Sequence, residues 1–140
     1  MVLIPNIEIG ASLVIQKRIQ EEDTSQNYGS QVLGTLFSTP ALAALMIKAA
    51  TNLVDHHMPE GMITVGTKIE ITHDKPTTLG LTVSVKATVV EFDGQRILFD
   101  LIAYDEAGVI ARGKHERMIV NRNLLFRKLQ ERVDKLITMV

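Results

Sequence analysis

The chain of 140 residues contains no cysteine and no tryptophan, and its formal net charge is only −1. The lack of cysteine excludes disulfides, thiolate metal sites and cysteine nucleophiles. The near-zero net charge gives no reason to expect nucleic acid or an anionic membrane as a partner.

Long apolar runs are missing as well. None approaches the roughly 20 residues that a helix needs to cross a bilayer, and the opening MVLIPNIEIG lacks the basic start and long apolar stretch of a signal peptide. We therefore expect a cytoplasmic protein. The length and the apolar content of 46% are typical of one soluble domain, residues 1–140, that is large enough to bury a core.

The chain does contain one strongly apolar helix, predicted from about Thr39 to about Asp55. Ser38-Thr39-Pro40 is a start signal, because the Thr39 hydroxyl can cap free backbone N–H groups and Pro40 suits the first helical position. Apolar residues cover most of the helix surface and leave a narrow polar stripe, which is typical of a buried helix. We expect chemistry where this helix begins, since its N-terminus favours negative charge.

Alternating and amphipathic patterns predict the other elements. Five strands are predicted, over residues 11–19, 62–73, 81–90, 96–104 and 109–120. In the second, Ile63, Val65, Ile69 and His73 are expected to share one apolar face. Residues 21–30 are predicted as a loop or short irregular helix. Residues 123–140 are predicted as an amphipathic helix, packed on the domain edge or on a partner.

One buried helix followed by four long antiparallel strands indicates an α+β fold. A single helix cannot cover both faces of so wide a sheet. Pairing with a second copy is the simplest way to hide the open face or the sheet edge, so we expect a homodimer or a higher homo-oligomer.

Three motifs carry a resemblance to a known family. They read STPAL at 38–42, VGT at 65–67 followed by TH at 72–73, and GKHER at 113–117. With these motifs in this order, the chain resembles the fluoroacetyl-CoA-specific thioesterases over about residues 8–125. The resemblance implies the hot-dog fold, in which a long central helix is wrapped by an antiparallel sheet. It also implies a dimer whose sheets join, with acyl-CoA bound between subunits. We expect no cofactor and no metal. An unrelated helix-on-sheet domain is the alternative.

The resemblance implies a catalytic threonine at the helix start, a glutamate two turns later and a histidine on the following strand. Thr39 matches the threonine, as nucleophile or as anchor for a water, although it would also serve as a simple helix cap. His73 matches the histidine, whose ordinary pKa of about 6.5 suits a general base, although a hydrogen-bonded core histidine is the alternative. The glutamate does not match, because that position is Ile47.

The resemblance also implies that Gly66 and Ile47 face the substrate, and the pattern of the last strand adds two candidates. Gly66 matches a glycine that lets the strand backbone approach the thioester, and a strand bulge is its alternative role. His115 and Arg117 are candidates for contact with CoA phosphates, and a solvated charged face is the alternative. Ile47 is expected to face the pocket. Whether hydrolysis occurs without a carboxylate at this position separates two main hypotheses.

The first hypothesis is a thioesterase-like enzyme for small or medium acyl-CoA. The second is a non-catalytic acyl-CoA or acyl-ligand binding protein that has lost the carboxylate. A purely structural dimerisation domain is a third hypothesis.

Overall fold

The computed structural model describes residues 4–139, and it contains the predicted elements in the predicted order. The strands are β1 (Ser12–Arg18), β2 (Met62–His73), β3 (Thr82–Phe92), β4 (Arg96–Asp105) and β5 (Gly108–Asn121), and the two α-helices are α1 (Thr39–Val54) and α2 (Arg122–Thr138). Between β1 and α1 the chain forms three short 3-10 turns, in agreement with the predicted irregular segment.

All five strands form one antiparallel sheet in the order β1-β3-β4-β5-β2. After α1, strand β2 pairs with β5, and the chain then crosses the sheet to place β3 between β1 and β4. Strands β1 and β2 are therefore the two edges. Helix α1 packs across one face of the sheet, which is the hot-dog arrangement that the resemblance implied.

Helix α1 is as buried as its composition predicts. Leu42, Met46, Ala49 and Ala50 are each 0% exposed, and they pack against the inward side chains of the sheet. The alanines have no long side chains, so the helix backbone can approach the strands closely. This packing forms the core of the domain.

The helix cap differs from the prediction, which assigned it to Thr39. The Ser38 hydroxyl is the capping group, since Ser38 Oγ accepts a hydrogen bond from the Ala41 backbone N–H at 3.1 Å. Ser38 has the extended backbone that a cap requires, whereas Thr39 is already the first residue of the helix. The Thr39 hydroxyl is thereby released for another partner.

Strand β2 contains a β-bulge, which the alternating pattern did not predict. Gly66 pairs with Arg117 and Lys68 pairs with Glu116, so Thr67 is an extra residue without an opposite neighbour. An extra residue shifts the alternation of the strand by one position.

The shift corrects the predicted face of β2. Ile63 and Val65 do not share the helix side of the sheet with Ile69, because Thr64 and Gly66 occupy that side before the bulge. Thr64 is buried, at 8% exposure, which shows that a polar residue has taken an inward position.

Helix α2 follows β5 directly and is capped by Asn121, whose Oδ1 accepts from the Leu124 N–H at 2.9 Å. Of the two predicted environments, packing on the domain edge is wrong, because no described residue of α2 is buried. Val140, the end of the predicted helix, lies outside the described residues. Neither α-helix within residues 4–139 is long and apolar enough to cross a membrane.

Replacing Leu42 by Ala should lower the free energy of unfolding by about 2–5 kcal/mol, because it leaves a cavity between α1 and the sheet. Leu81→Ala is the matched control, since Leu81 is 41% exposed and the same truncation there should have a much smaller effect. Urea unfolding followed by circular dichroism measures both. Equal losses would show that α1 does not form the core.

Candidate active site

The first residue of α1 and the last residue of β2 meet through their side chains. Thr39 Oγ1 lies 2.9 Å from His73 Nδ1, a hydrogen bond between residues 34 positions apart. The helix runs antiparallel to β2, and the opposite ends are tied as well, because Thr64 Oγ1 donates to Asp55 Oδ1 at 2.6 Å. The two candidates that the sequence placed at the catalytic centre are thus in direct contact.

This pair opens into a shallow cavity of about 260 Å³. The residues that line it with Thr39 and His73 are Ser25, Leu33, Leu36, Phe37, Asp74, Lys75 and Pro76. Phe37 is 4% exposed, and its ring meets the His73 imidazole edge-on, with 6.4 Å between ring centres. The cavity therefore combines a hydroxyl and an imidazole with an apolar wall.

The environment of His73 keeps its imidazole neutral. Burial lowers the pKa of His73 below its ordinary value of 6.5, and the nearby Asp74 carboxylate opposes this only in part. Near neutral pH the ring can thus accept a proton at Nδ1 from the Thr39 hydroxyl. His73 Nε2 is buried and has no hydrogen-bond partner among residues 4–139.

The other predicted site residues form a second cluster. Arg117 is 7% exposed, and it donates through Nε to Thr64 Oγ1 at 2.9 Å and through Nη2 to the Thr64 carbonyl at 3.0 Å. Its Nη1 lies 3.1 Å from His115 Nε2, and His115 Nδ1 lies 2.8 Å from the Lys68 carbonyl oxygen. The cluster is tied to α1 through Asp55, which accepts from Thr64.

These contacts assign the tautomer of His115. The Lys68 carbonyl can only accept, so His115 Nδ1 carries the proton and Nε2 accepts from Arg117. The ring is 3% exposed and stacks on Phe99 with 6.0 Å between ring centres. Burial lowers the pKa of His115, and the Arg117 charge adds to that effect, while the bond to the Lys68 carbonyl opposes it.

The burial of His115 and Arg117 excludes one of the two roles considered for them. A solvated charged face is wrong for His115 and Arg117, because both side chains point into the domain. Their contact with CoA phosphates stays a prediction.

Gly66 lies against the same cluster. A Cβ atom on Gly66 would be 3.1 Å from Arg117 Nη1 and 3.2 Å from His115 Cε1, which is tighter than ordinary contacts. The side chains of Arg117 and His115 beneath this position, together with the adjacent bulge, explain why residue 66 is a glycine. Its approach to a thioester stays a prediction.

Within one chain the two clusters are far apart. Gly66 and His73 are seven residues apart on β2, which corresponds to roughly 20 Å of extended strand. Ile47 is half-buried in the middle of α1, about 12 Å along the helix axis from Thr39, and it does not line the Thr39–His73 cavity. One chain therefore does not bring all the predicted site residues together.

The Asp23 carboxylate, which precedes α1, is engaged in contacts within its own chain. Asp23 is 6% exposed, and its Oδ1 accepts from Lys17 Nζ at 2.7 Å. Its Oδ2 accepts from the Gln20 backbone N–H at 2.8 Å. Both oxygens are occupied by structural contacts.

Sequence reasoning missed several residues that the structure brings to the two clusters. Phe37 precedes the helix cap, and an apolar residue beside a cap was a signal that could have found it. Asp55 and Thr64 join the second cluster only because the bulge turns Thr64 inward, and no sequence signal marked that change. The described part of the chain holds no group of three side chains suited to a metal ion.

Replacing Ser38 by Ala should lower the free energy of unfolding by about 1 kcal/mol, because it removes the hydroxyl that caps α1. Thr39→Ala should have a smaller effect, since its hydroxyl faces His73 and does not bond the helix N-terminus. Urea unfolding of both variants tests this difference. A larger loss for Thr39→Ala would return the capping role to Thr39.

Stability should fall as pH is lowered below about 6.5, because His115 is held neutral in the fold and becomes protonated when the chain unfolds. A folded pKa below the unfolded one means that the unfolded chain binds more protons in that window, so acid favours unfolding. His115→Gln should reduce this slope and leave the part due to His73. Urea unfolding between pH 7 and pH 5 measures it, and identical slopes for wild type and variant would contradict the assignment.

Comparison with known proteins identifies the family. A family model described as fluoroacetyl-CoA-specific thioesterase matches residues 19–123. The fluoroacetyl-CoA thioesterase of Streptantibioticus cattleyicolor is 29% identical over 97 residues, which cover 69% of this chain and 70% of that protein.

Two solved structures are similar in fold. A hot-dog-like protein from Thermanaerovibrio acidaminovorans is 32% identical, with a TM-score of 0.84 over 89% of this chain and 91% of that one. A mutant of a fluoroacetyl-CoA-specific thioesterase, in complex with fluoroacetate and CoA, is 23% identical, with a TM-score of 0.80 over 85% and 99%. The family match covers most of the chain and agrees with its fold. The chain belongs to the fluoroacetyl-CoA-specific thioesterase family.

Proposed function

We propose that this protein binds acyl-CoA thioesters and hydrolyses them slowly, with Thr39 and His73 at the reacting end. The observation that carries the proposal is the 2.9 Å contact between Thr39 Oγ1 and His73 Nδ1 in an open cavity at the start of α1. The family assignment and the relative crystallised with fluoroacetate and CoA support a thioester as the substrate class.

The geometry supports separate chemical roles for His73, Thr39 and the N-terminus of α1. His73 Nδ1 takes the proton of the Thr39 hydroxyl, which attacks the thioester carbonyl, or the proton of a water that the hydroxyl holds. The carbonyl oxygen becomes negative, and the N-terminus of α1 favours negative charge at this position. The C–S bond then breaks, and the proton held by His73 passes to the departing CoA sulfur. After attack by Thr39 the acyl group is an ester on Oγ1, and a water that gives its proton to His73 hydrolyses this ester, which releases the acid and restores the Thr39 hydroxyl. After attack by water the acid is released directly.

The separation of the two clusters supports a homodimer. Strand β2 is an edge of the sheet, and its unpaired backbone groups can join those of a second β2. If the two strands pair antiparallel about a two-fold axis between Ile69 and Glu70, Gly66 of one copy lies opposite His73 of the other. This register would bring the Arg117–His115 cluster of one chain to the Thr39–His73 pair of the second.

Ile47 sets the expected rate and the expected acyl group. A missing carboxylate removes a general base, whose contribution is typically 10²–10⁴-fold. Ile47 lies outside the cavity of one chain, about 12 Å along α1 from Thr39. Its apolar side chain therefore acts on an acyl chain long enough to run along the helix, and it favours an aliphatic tail over a small polar one. We therefore expect slow or absent hydrolysis of short acyl-CoAs and measurable binding of longer or branched ones.

Ile47 also favours a second candidate function, in which the protein binds acyl-CoA and does not hydrolyse it. That function keeps the cavity and the dimer but needs neither the basicity of His73 nor the nucleophilicity of Thr39. Cytoplasmic localisation stays a prediction from the sequence.

A thiol-release assay across acyl-CoAs of increasing chain length tests the proposal. Thr39→Ala and His73→Ala should each abolish the slow release, because one removes the hydroxyl and the other the proton acceptor. Thr72→Ala is the matched control, since it lies beside His73 on β2 with an exposed side chain. Binding without release in the wild type would favour the second candidate, and wild-type rates in both site variants would place the site elsewhere.

Ile47→Glu tests the role of the missing carboxylate. The rate of hydrolysis should increase toward the 10²–10⁴-fold contribution that is typical of a general base. The free energy of unfolding should fall, because a half-buried carboxylate is poorly solvated. Ile47→Gln is the control, with similar size and no charge. Fast wild-type turnover of acetyl-CoA would contradict this account of Ile47.

A further inference from the structure

Helix α2 exposes an unusual amount of apolar surface for the terminal element of a soluble domain. Every described residue of the helix except Leu125 is exposed, and Leu125 is half-buried. The large apolar side chains include Phe126 at 48%, Leu129 at 51% and Leu136 at 58% exposure. Nothing else within residues 4–139 covers this surface.

Four of the exposed apolar residues of α2 follow a heptad repeat, whereas Leu124 and Ile137 lie outside it. Phe126, Leu129, Val133 and Leu136 are separated by three, four and three residues, so they form one seam along the helix. In heptad terms Phe126 and Val133 take the a positions and Leu129 and Leu136 the d positions, and a β-branched residue at a with leucine at d is typical of paired helices. We call these four residues the α2 seam.

Most charges of α2 lie away from the seam. The exception is Arg122, whose guanidinium lies over the Phe126 ring, 4.8 Å from its centre. The helix has five basic and two acidic residues, against a net charge of −1 for the whole chain. The positions that flank the seam are Leu125, Gln130, Arg132 and Ile137, of which only Arg132 is charged. An anionic partner would be recognised best through basic residues along these flanks, whereas uncharged flanks let two identical basic helices approach without strong repulsion.

From this arrangement we infer that the α2 seam packs against α2 of a second copy of this chain. Two identical helices then cover each other's Phe126, Leu129, Val133 and Leu136. The acidic Glu131 and Asp134 lie outside the seam with the remaining basic residues, so the paired helices present a mixed, hydrated outer surface.

The position of α2 decides which copies it joins. Arg122, its first residue, donates its backbone N–H to the Gly61 carbonyl at 2.9 Å, so α2 begins beside the start of β2. In the β2-paired dimer proposed above, the two starts of β2 lie at opposite ends, roughly 50 Å apart, whereas each α2 is about 25 Å long. The seam therefore joins two different dimers. When both seams of one dimer pair with both seams of a second, the assembly closes at four chains. This last step depends on the proposed dimer, whereas the pairing of α2 does not.

Sedimentation of the full chain at micromolar concentration tests the inference. The wild type should sediment as four chains, and the double variant Leu129→Glu with Val133→Glu should sediment as two, because two carboxylates enter the seam. The matched control is Leu124→Glu with Thr138→Glu, which introduces the same charge on the opposite side of α2 and should remain at four. Circular dichroism confirms folding, since no altered residue is buried.

The other outcomes separate the hypotheses. A wild type of two chains whose seam variant is monomeric would support α2 pairing and overturn the β2 dimer. Equal masses for the wild type and the seam variant would overturn α2 pairing. A third outcome would overturn α2 pairing in favour of a membrane surface. In that outcome the wild type and the seam variant have equal masses, and only the wild type co-sediments with phosphatidylserine–phosphatidylcholine vesicles.

Discussion

The packing of α1 against the inner face of the sheet is the contact on which the rest of the structure depends. Leu42 and Met46 supply the apolar contact, while Ala49 and Ala50 let the helix approach the strands closely. The helix is held in register with β2 at both ends, by hydrogen bonds from threonine side chains. Since both polar clusters lie at these ends, the same packing that stabilises the fold also sets the spacing of the candidate site.

The bulge at Thr67 is the second constraint, and it shows how a small backbone irregularity changes chemistry. By shifting the alternation of β2, it turns Thr64 and Gly66 toward the helix and leaves room beneath Gly66 for Arg117. A buried guanidinium needs partners that can accept hydrogen bonds. Thr64 and His115 provide them, and the nearby Asp55 carboxylate offsets part of the unfavourable burial of charge.

The family assignment is better supported than the catalytic activity in the proposed function. The assignment follows from a match over most of the chain and from a fold that agrees with it. The activity depends on local chemistry, and we propose that Ile47 stands where the family has its glutamate. A fold can survive such a change because a half-buried helix position accepts a branched apolar residue, whereas catalysis can be lost when one ionisable group disappears. The binding and hydrolytic functions therefore have to be separated by experiment.

The sequence by itself determined the order and type of the elements, because apolar periodicity and turn residues act locally. It also determined the burial of α1, and the family resemblance of its motifs selected Thr39 and His73 as candidates. Only the tertiary structure decided that Ser38 is the cap, since two neighbouring hydroxyls fit the same signal and the approach of His73 selects between them. The inward turn of Thr64 also required the folded sheet, because a bulge is defined by the pairing of two strands distant in sequence.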